Sequence, residues 1–436
     1  MNDELRALEE RNERINIGVV GAHTAGEDIV RQISVMKGVK TGIISDPVLN
    51  RVVSIYRSIG LRESQIVITS NERTAEEALK EGKSVASNNM YLAAEVPTVD
   101  VIIDAIEPTH SGCTEVGANV ELRAVTSRKH VITVNKSVDA MIGPILRKFA
   151  DASDIVYSGP AGEEIGGLKE LYDLVDALGF DVVAAGKGKC TPLNREATPD
   201  SLSDKASKLG IEAKILVSYE DGTNSMFEMN EFANATGLKP DIRGMHGPTT
   251  TISELPKAFN LKEQGGILQD TGVVDYALGP EFPYTVFLVF TGDKEKLKDY
   301  SYFVHDMLGP GPNYAIIKSG RMHTLEIPLS AARAVIYGKP TVAPLKPVAE
   351  VITVAKRNIK AGETLDGVGG STTYGLLEKL EVAREEEALP AGLSEGLKLK
   401  KDVSKGDVIR YSDVELDGEL TVLQLKKLQD KLFTHN

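Results

Sequence analysis

The chain carries only two cysteines in 436 residues, Cys113 and Cys190, without C-x-x-C spacing. That argues against a disulfide framework and against a zinc site built on paired thiolates. Its seven histidines are scattered with no pair at i, i+4, so local spacing predicts no metal site, and dependence on a divalent cation stays open. No apolar run reaches the length needed to cross a bilayer, so no membrane partner is expected. The opening MNDELRALEERNER reads as a charged helix rather than a secretory signal, which makes a cytoplasmic protein the expectation. A strongly basic segment is missing too, and the net charge is −13. Nucleic acid is therefore not an expected partner, because affinity for it comes largely from clustered Lys and Arg. Local lysines still suit a small anion.

What is present is enough apolar content, 42 %, for two or three ordinary cores. The stretch INIGVVGAHTAG, Ile15 to Gly26, runs an apolar strand into a glycine-bounded turn. Glu27 to Met36 follows with helical spacing of Ile29, Val30 and Ile33. This predicts the opening βα unit of a dinucleotide-binding domain, with Ala22, His23 and Thr24 between the glycines as cofactor contacts. Gly21 and Gly26 fill the first and third places of the G-x-G-x-x-G fingerprint, while His23 takes the second. A second strand, Val39 to Ser45, closes on Asp46, where an acid would accept hydrogen bonds from the adenosine ribose and favour NAD over NADP. Ser45-Asp46-Pro47 also suits a cap on the next helix, and both roles are compatible.

Further along, Val99 to Ala105 (VDVIIDA) is apolar enough to be buried on both faces of a parallel sheet. Thr109-His110 and Asn135-Lys136 then fall at carboxyl ends of predicted strands, where open α/β sheets bind ligands. Thr109, His110 and Asn135 are cofactor candidates, and Lys136 reaches toward substrate. Asp151 to Tyr157 reads as a further strand. After it comes the glycine-rich turn Gly159 to Gly167, then a helix Leu168 to Leu178 and a strand Phe180 to Ala185. That strand delivers a predicted loop, Gly186 to Cys190, carrying Lys187 and Lys189. Two ammonium groups at i, i+2 would polarise a carbonyl or grip an anion, and like-charge crowding would lower one pKa. The bland alternative is a solvated turn. Glu163 is placed opposite as a proton-transfer group with Glu164 beside it, although carboxylates also suit a helix N-terminus. Arg243, His246 and His323 lie in loop-like surroundings and are second-rank substrate candidates.

The third part contains a duplication: Lys356 to Leu365 (KRNIKAGETL) recurs as Lys400 to Ile409 (KKDVSKGDVI). Each copy reads as short β elements around a turn glycine. Glu378 to Glu387 reads as a charged helix, and Leu420 to Phe433 as an amphipathic one.

Together the Gly21-to-Gly26 turn, VDVIIDA, HVITVNK, ALGFDVVAAGKGK, ATPDSL, DGTNSMFEM, RGMHGP and IPLSAARAVIYGKP resemble the homoserine-dehydrogenase-like oxidoreductases with a C-terminal SAF domain. The duplicated part is similar to that SAF domain, a small β-clip shared with sialic acid synthases and antifreeze-like proteins. The resemblance implies an α/β protein: a Rossmann domain over 1–158, an α/β catalytic domain with a mixed sheet over 159–345, a β-rich SAF domain over 346–418, and a helix over 419–436. The segment 329–338 is expected to pack back on the Rossmann domain. Some relatives are 1-deoxy-D-xylulose 5-phosphate reductoisomerase-like. The aspartate and lysine that serve substrate in homoserine dehydrogenases are Phe180 and Ala184 here, so homoserine is not the expected substrate. Relatives tend to read GDQPG where this chain has Gly162-Glu163-Glu164-Ile165-Gly166.

The expected activity is NAD- or NADP-dependent hydride transfer to or from a small carbonyl or hydroxyl substrate, phosphorylated or not. Lys187, Lys189, Lys136 and Glu163 would be its catalytic residues. The rivals are a ketose-phosphate reductoisomerase and a non-catalytic NAD(H)-binding assembly protein. A homo-oligomer is expected.

Overall fold

The computed structural model describes all residues except 108, 110–111, 293–299, 310 and 434–436; at 303 and 305 it describes the backbone alone. The chain forms two compact units. One comprises residues 1–163, 322–344 and 417–436, the other 164–321 and 345–416.

The first unit is built on seven strands: β1 (Ile15–Val20), β2 (Val39–Ser45), β3 (Ile66–Ile68), β4 (Ser84–Ser87), β5 (Val101–Asp104), β6 (His130–Thr133) and β7 (Tyr157–Ser158). All pair in parallel in the order β3-β4-β2-β1-β5-β6-β7. Strands buried on both faces need no polar alternation, which is why β4 and β5 read as continuous apolar or small-residue runs. The order in which strands are added reverses between the parallel neighbours β1 and β5, so their carboxyl ends open the crevice where such sheets take ligands. The helix Thr24–Val35 covers β1 with Ile29, Val30 and Ile33. The helix Ile327–Tyr337 joins the same core through Ile327, Ala331, Ala332 and Ala334.

The strand expected over Asp151 to Tyr157 is mostly absent, because the helix Lys136–Ala152 runs through its first residues. Met141, Ile142, Ile145, Leu146 and Ala150 are all buried with helical spacing, and burial of that stripe decides the conformation. Pro144 sits inside this helix, where its ring disfavours the bond from the Ile145 amide back to the Met141 carbonyl. Gln429, from the helix Thr421–Phe433, supplies substitutes: the Ile145 N–H donates to its Oε1 at 3.1 Å, and its Nε2 donates to the Met141 carbonyl at 2.9 Å.

The second unit has a five-stranded mixed sheet in the order β12-β11-β8-β10-β9, from β8 (Asp181–Lys189), β9 (Lys239–Pro240), β10 (Val273–Leu278), β11 (Val286–Thr291) and β12 (Asn313–Lys318). The helices Glu164–Ala177 and Thr223–Thr236 pack on this sheet, and the second also packs on an antiparallel pair, β13 (Ala349–Ala355) and β14 (Thr373–Lys379). The expected charged helix shortens to Leu380–Glu385, since its first residues extend β14 opposite Ala349 and Glu350. The two repeated turns face each other: Ile359 and Val403 exchange both backbone hydrogen bonds at 2.9 Å, and Gly362 and Gly406 each adopt φ 87°. A short antiparallel pair, β15 (Lys398–Leu399) and β16 (Val414–Glu415), completes the unit.

Candidate functional site

In the first unit the glycine turn leaves no room for side chains. A Cβ on Gly21, at φ 94°, would lie 2.6 Å from the Ala105 carbonyl oxygen, and one on Gly26 would lie 2.0 Å from that of Gly21. The backbone between Val20 and the helix Thr24–Val35 thus lies hard against the end of β5, with His23 as the N-cap and Thr24 exposed in the first turn. Asp46 is 2 % exposed and engaged on both oxygens: the Ala22 N–H donates to one at 2.9 Å, the Val48 N–H to the other at 2.8 Å. It therefore stitches the turn to the start of the next helix. Arg51, absent from the sequence-based candidates, stands over it with Nη1 at 3.4 Å from Asp46 Oδ1 and in contact with His23 Nε2. The Arg51 side chain is 32 % exposed, which leaves a cation at the rim of the crevice.

At the ends of β5 and β6, Asn135 is fully buried. Its Nδ2 donates to Asp104 Oδ2 and to the Cys113 carbonyl, both at 3.2 Å. Its Oδ1, and Thr109 Oγ1, have no hydrogen-bond partner among the described residues. Such orphaned acceptors at strand ends fit the hydroxyls of a dinucleotide ribose. His110 lies outside the described residues. Lys136 opens the helix after Asn135, and its Nζ approaches Glu163 Oε2 at 3.2 Å, while His323 Nε2 approaches the other Glu163 oxygen at 3.3 Å. Three residues singled out separately in the sequence thus share one cluster.

Beneath the crevice Asp104, Glu121, Asp139 and Tyr157 are buried together; the Tyr157 hydroxyl donates to Glu121 Oε2 at 2.9 Å. Burial pushes Asp104 up to about 6 and Asp139 up to about 7, and raises Glu121 well above the ordinary carboxylate range, with the Asp104 charge adding to burial there.

In the second unit the predicted lysine loop is not a loop. Lys187 and Lys189 are the last residues of β8, with Lys187 opposite Tyr276 on β10 and Val286 on β11. Side chains alternate along a strand, so both lysines share one face and Gly186 and Gly188 the other. The glycines are there because the opposite face is crowded: a Cβ on Gly186 would meet Phe287 Cζ at 2.8 Å, and one on Gly188 would meet Phe282 Cβ at 2.4 Å. A G-K-G-K pattern that suggests a turn is here a strand packed against aromatic rings.

The lysines have different neighbours. Lys187 Nζ contacts the carboxylate of Glu228 and lies 3.4 Å from Glu164 Oε1, and Arg321 Nη2 lies 3.6 Å from that same oxygen. Asn224 Nδ2 donates to the second oxygen of Glu228 at 2.7 Å. Lys189 Nζ donates instead to neutral acceptors, Thr191 Oγ1 and, at 2.6 Å, the Tyr219 carbonyl. Burial first, and the like charge of Lys187 second, bring Lys189 down to about 8. Glu228, Asn224 and Arg321 were missed as candidates. The two on the helix Thr223–Thr236 lie in DGTNSMFEM, a stretch quoted for its resemblance but without a residue singled out for the site.

Arg243 and His246 lie elsewhere in this unit. Arg243 bridges Glu378 and Glu386 at 2.6 Å each, and His246 Nε2 is 2.8 Å from Asp241 Oδ2. Arg243 is thus held by two carboxylates and His246 by its contact with Asp241.

Residues 162–327 match the family model described as the catalytic domain of oxidoreductase DRL. No curated protein matches the chain. Among solved structures, a probable dehydrogenase from Thermotoga maritima is similar at 12 % identity, with 74 % of this chain and 90 % of that one covered and a TM-score of 0.41. A putative myo-inositol dehydrogenase from Sinorhizobium meliloti 1021 shows 9 % identity over 74 % and 90 %, TM-score 0.41. A DOX-P reductoisomerase in complex with magnesium shows 13 % identity over 75 % and 70 %, TM-score 0.43. At those scores the likeness decides nothing about this chain.

Proposed function

We propose that the chain is a nicotinamide-dependent oxidoreductase that moves hydride to or from a small carbonyl or hydroxyl compound carrying an anionic group. The observation that carries this is the buried lysine pair on β8, inside the segment that matches an oxidoreductase catalytic domain. An ion-paired lysine beside one brought down to about 8 suits a reaction in which a carbonyl oxygen gains negative charge and then a proton. Lys187, braced by Glu228 and Glu164, receives the substrate's anionic group or developing oxyanion. Lys189, braced by neutral acceptors, is the group that gives or takes the proton.

The first unit suits the cofactor. The Gly21 and Gly26 turn lets a pyrophosphate approach the start of the helix Thr24–Val35, and Thr109 and Asn135 offer their unused oxygens to a ribose. Bound there, the nicotinamide supplies or accepts the hydride. The preference for NAD expected from a free Asp46 carboxylate is not retained in this proposal, because amides engage both Asp46 oxygens and Arg51 covers it. A cation at that rim pairs with a 2′-phosphate, so NADP(H) is the proposed form. Homoserine is not the proposed substrate, since Phe180 and Ala184 replace the acid and base of the enzymes that use it.

The test follows nicotinamide absorbance with a panel of small aldehydes, ketoses and hydroxy acids, with and without phosphate. Lys187→Met and Lys189→Met are run beside the parent. Turnover of a member, with a loss of about a hundredfold or more in either variant, supports the proposal. Cofactor binding without any turnover, unaltered by either substitution, would overturn it. Product connectivity separates simple reduction from reduction joined to isomerisation.

A further inference from the structure

The seven-stranded sheet has a second ligand-sized opening at the opposite end of its strands. A cavity of about 630 Å³ lies at the amino ends of β1, β2 and β4, within the usual range for small-molecule sites. Ile59, Leu61 and Leu79 supply apolar wall, Arg14, Lys40 and Lys80 supply positive charge, and no carboxylate lines it.

The three cations are not equally compensated. Arg14 is paired with Glu9 at 2.7 Å and Lys80 with Glu76 at 2.9 Å, both from outside the lining. Lys40 has no carboxylate partner among the described residues; its Nζ donates to the carbonyls of Gly82 and Lys83 at 2.6 and 3.0 Å. Burial, and then the Arg14 charge, hold its pKa below the usual lysine range, so the ammonium is kept in a place that disfavours it. Thr41, whose side chain leaves β2 on the opposite face from Lys40, also lines the cavity and is 5 % exposed, and its hydroxyl has no hydrogen-bond partner among the described residues. Buried hydroxyls are ordinarily satisfied, so an orphaned one on a cavity wall is a place for a ligand atom.

We infer that this cavity is a second small-molecule site, for a compound with an apolar ring system and a single negative charge. Its anionic group meets Lys40 while its rings rest on Ile59, Leu61 and Leu79. The site stands apart from the carboxyl ends of the strands, and it does not depend on the redox assignment.

The experiment is isothermal titration calorimetry of the full-length protein with 2-naphthalenesulfonate, with 2-naphthol as the uncharged match and inorganic phosphate as the charge alone. One sulfonate per chain is expected, bound about tenfold or more tighter than 2-naphthol, as a charge-assisted hydrogen bond implies. Lys40→Gln should erase that difference. Leu61→Glu, at a half-buried wall position, should abolish sulfonate binding, and Lys80→Gln, at an exposed one, should weaken it with no risk to folding. Saturating NADPH should leave the titration unchanged. Failure of the sulfonate to bind, equal affinity for the two naphthalenes, displacement by NADPH, or indifference to the substitutions would each overturn the inference.

Discussion

Lys187 on β8 donates to Glu228 on the helix Thr223–Thr236, with side chains 10 % and 2 % exposed. A charge pair this far from water is costly to assemble and more costly to break, since removing one partner strands the other. Glu228→Gln is therefore expected to lower stability by about 3 kcal/mol in chemical denaturation. Lys187→Met should do likewise. The double substitution should cost less than the two together, with a coupling of about 1–3 kcal/mol. Additive losses would mean that the contact is not the energetic unit described.

Lys189 is expected to reveal itself through pH. With the lysine brought to about 8, carbonyl reduction that uses its proton should decline as pH rises through that value, and the reverse oxidation should improve. Lys189→Arg keeps the charge at every accessible pH and should remove that limb from both profiles. A limb that persists in the arginine variant assigns the titration to another group.

The two lysines also show how far the sequence carries. The α/β class and the crevice-forming β1, β2 and β5 follow from apolar runs and helical spacing, because burial enforces those periods locally. Lys187 and Lys189 stand out as a charged pair, yet their strand does not, because Gly186 and Gly188 suggest a turn. Only the positions of Phe282 and Phe287, about 100 residues downstream, show why the glycines are there. Glu228 and Arg321 are distant in sequence from the residues they meet, and no local pattern announces such contacts. Arg51 lay within reach, five residues past Asp46, but its role depends on two amides having already engaged that carboxylate.

Arg51 gives a direct test of cofactor choice. Arg51→Ser should weaken NADPH by about tenfold or more and leave NADH within a few-fold, read by fluorescence titration, because only the phosphorylated form loses a charge-assisted pair. Equal weakening of both coenzymes would show that Arg51 serves only to brace Asp46 and His23.

Gly26 tests the turn itself. Gly26→Ala puts a methyl 2.0 Å from the Gly21 carbonyl oxygen, a backbone atom that cannot move without shifting the turn. Binding of either coenzyme should fall by about a hundredfold or more, while Gly60→Ala, at a positive-φ turn with nothing nearby, should leave binding unchanged. Retained affinity in Gly26→Ala would remove the turn from the binding site.

The buried acids beneath the crevice set a pH dependence of stability whose sign follows from their shifts. Asp104 and Asp139 bind protons more tightly in the folded chain than in the unfolded one, at about 6 and about 7. Their contribution is complete below the ordinary aspartate value and is lost as pH rises through those folded values, because ionisation then occurs without water. Between about pH 4 and about pH 7 these two groups lower stability progressively, opposite to the trend of salt-bridged surface carboxylates. Asp139→Asn, which is neutral throughout and similar in shape, should flatten the change in melting temperature across that window and leave the alkaline side more stable than the parent. An unchanged slope in the asparagine variant would show that the proton resides elsewhere in the cluster, on Asp104 or Glu121.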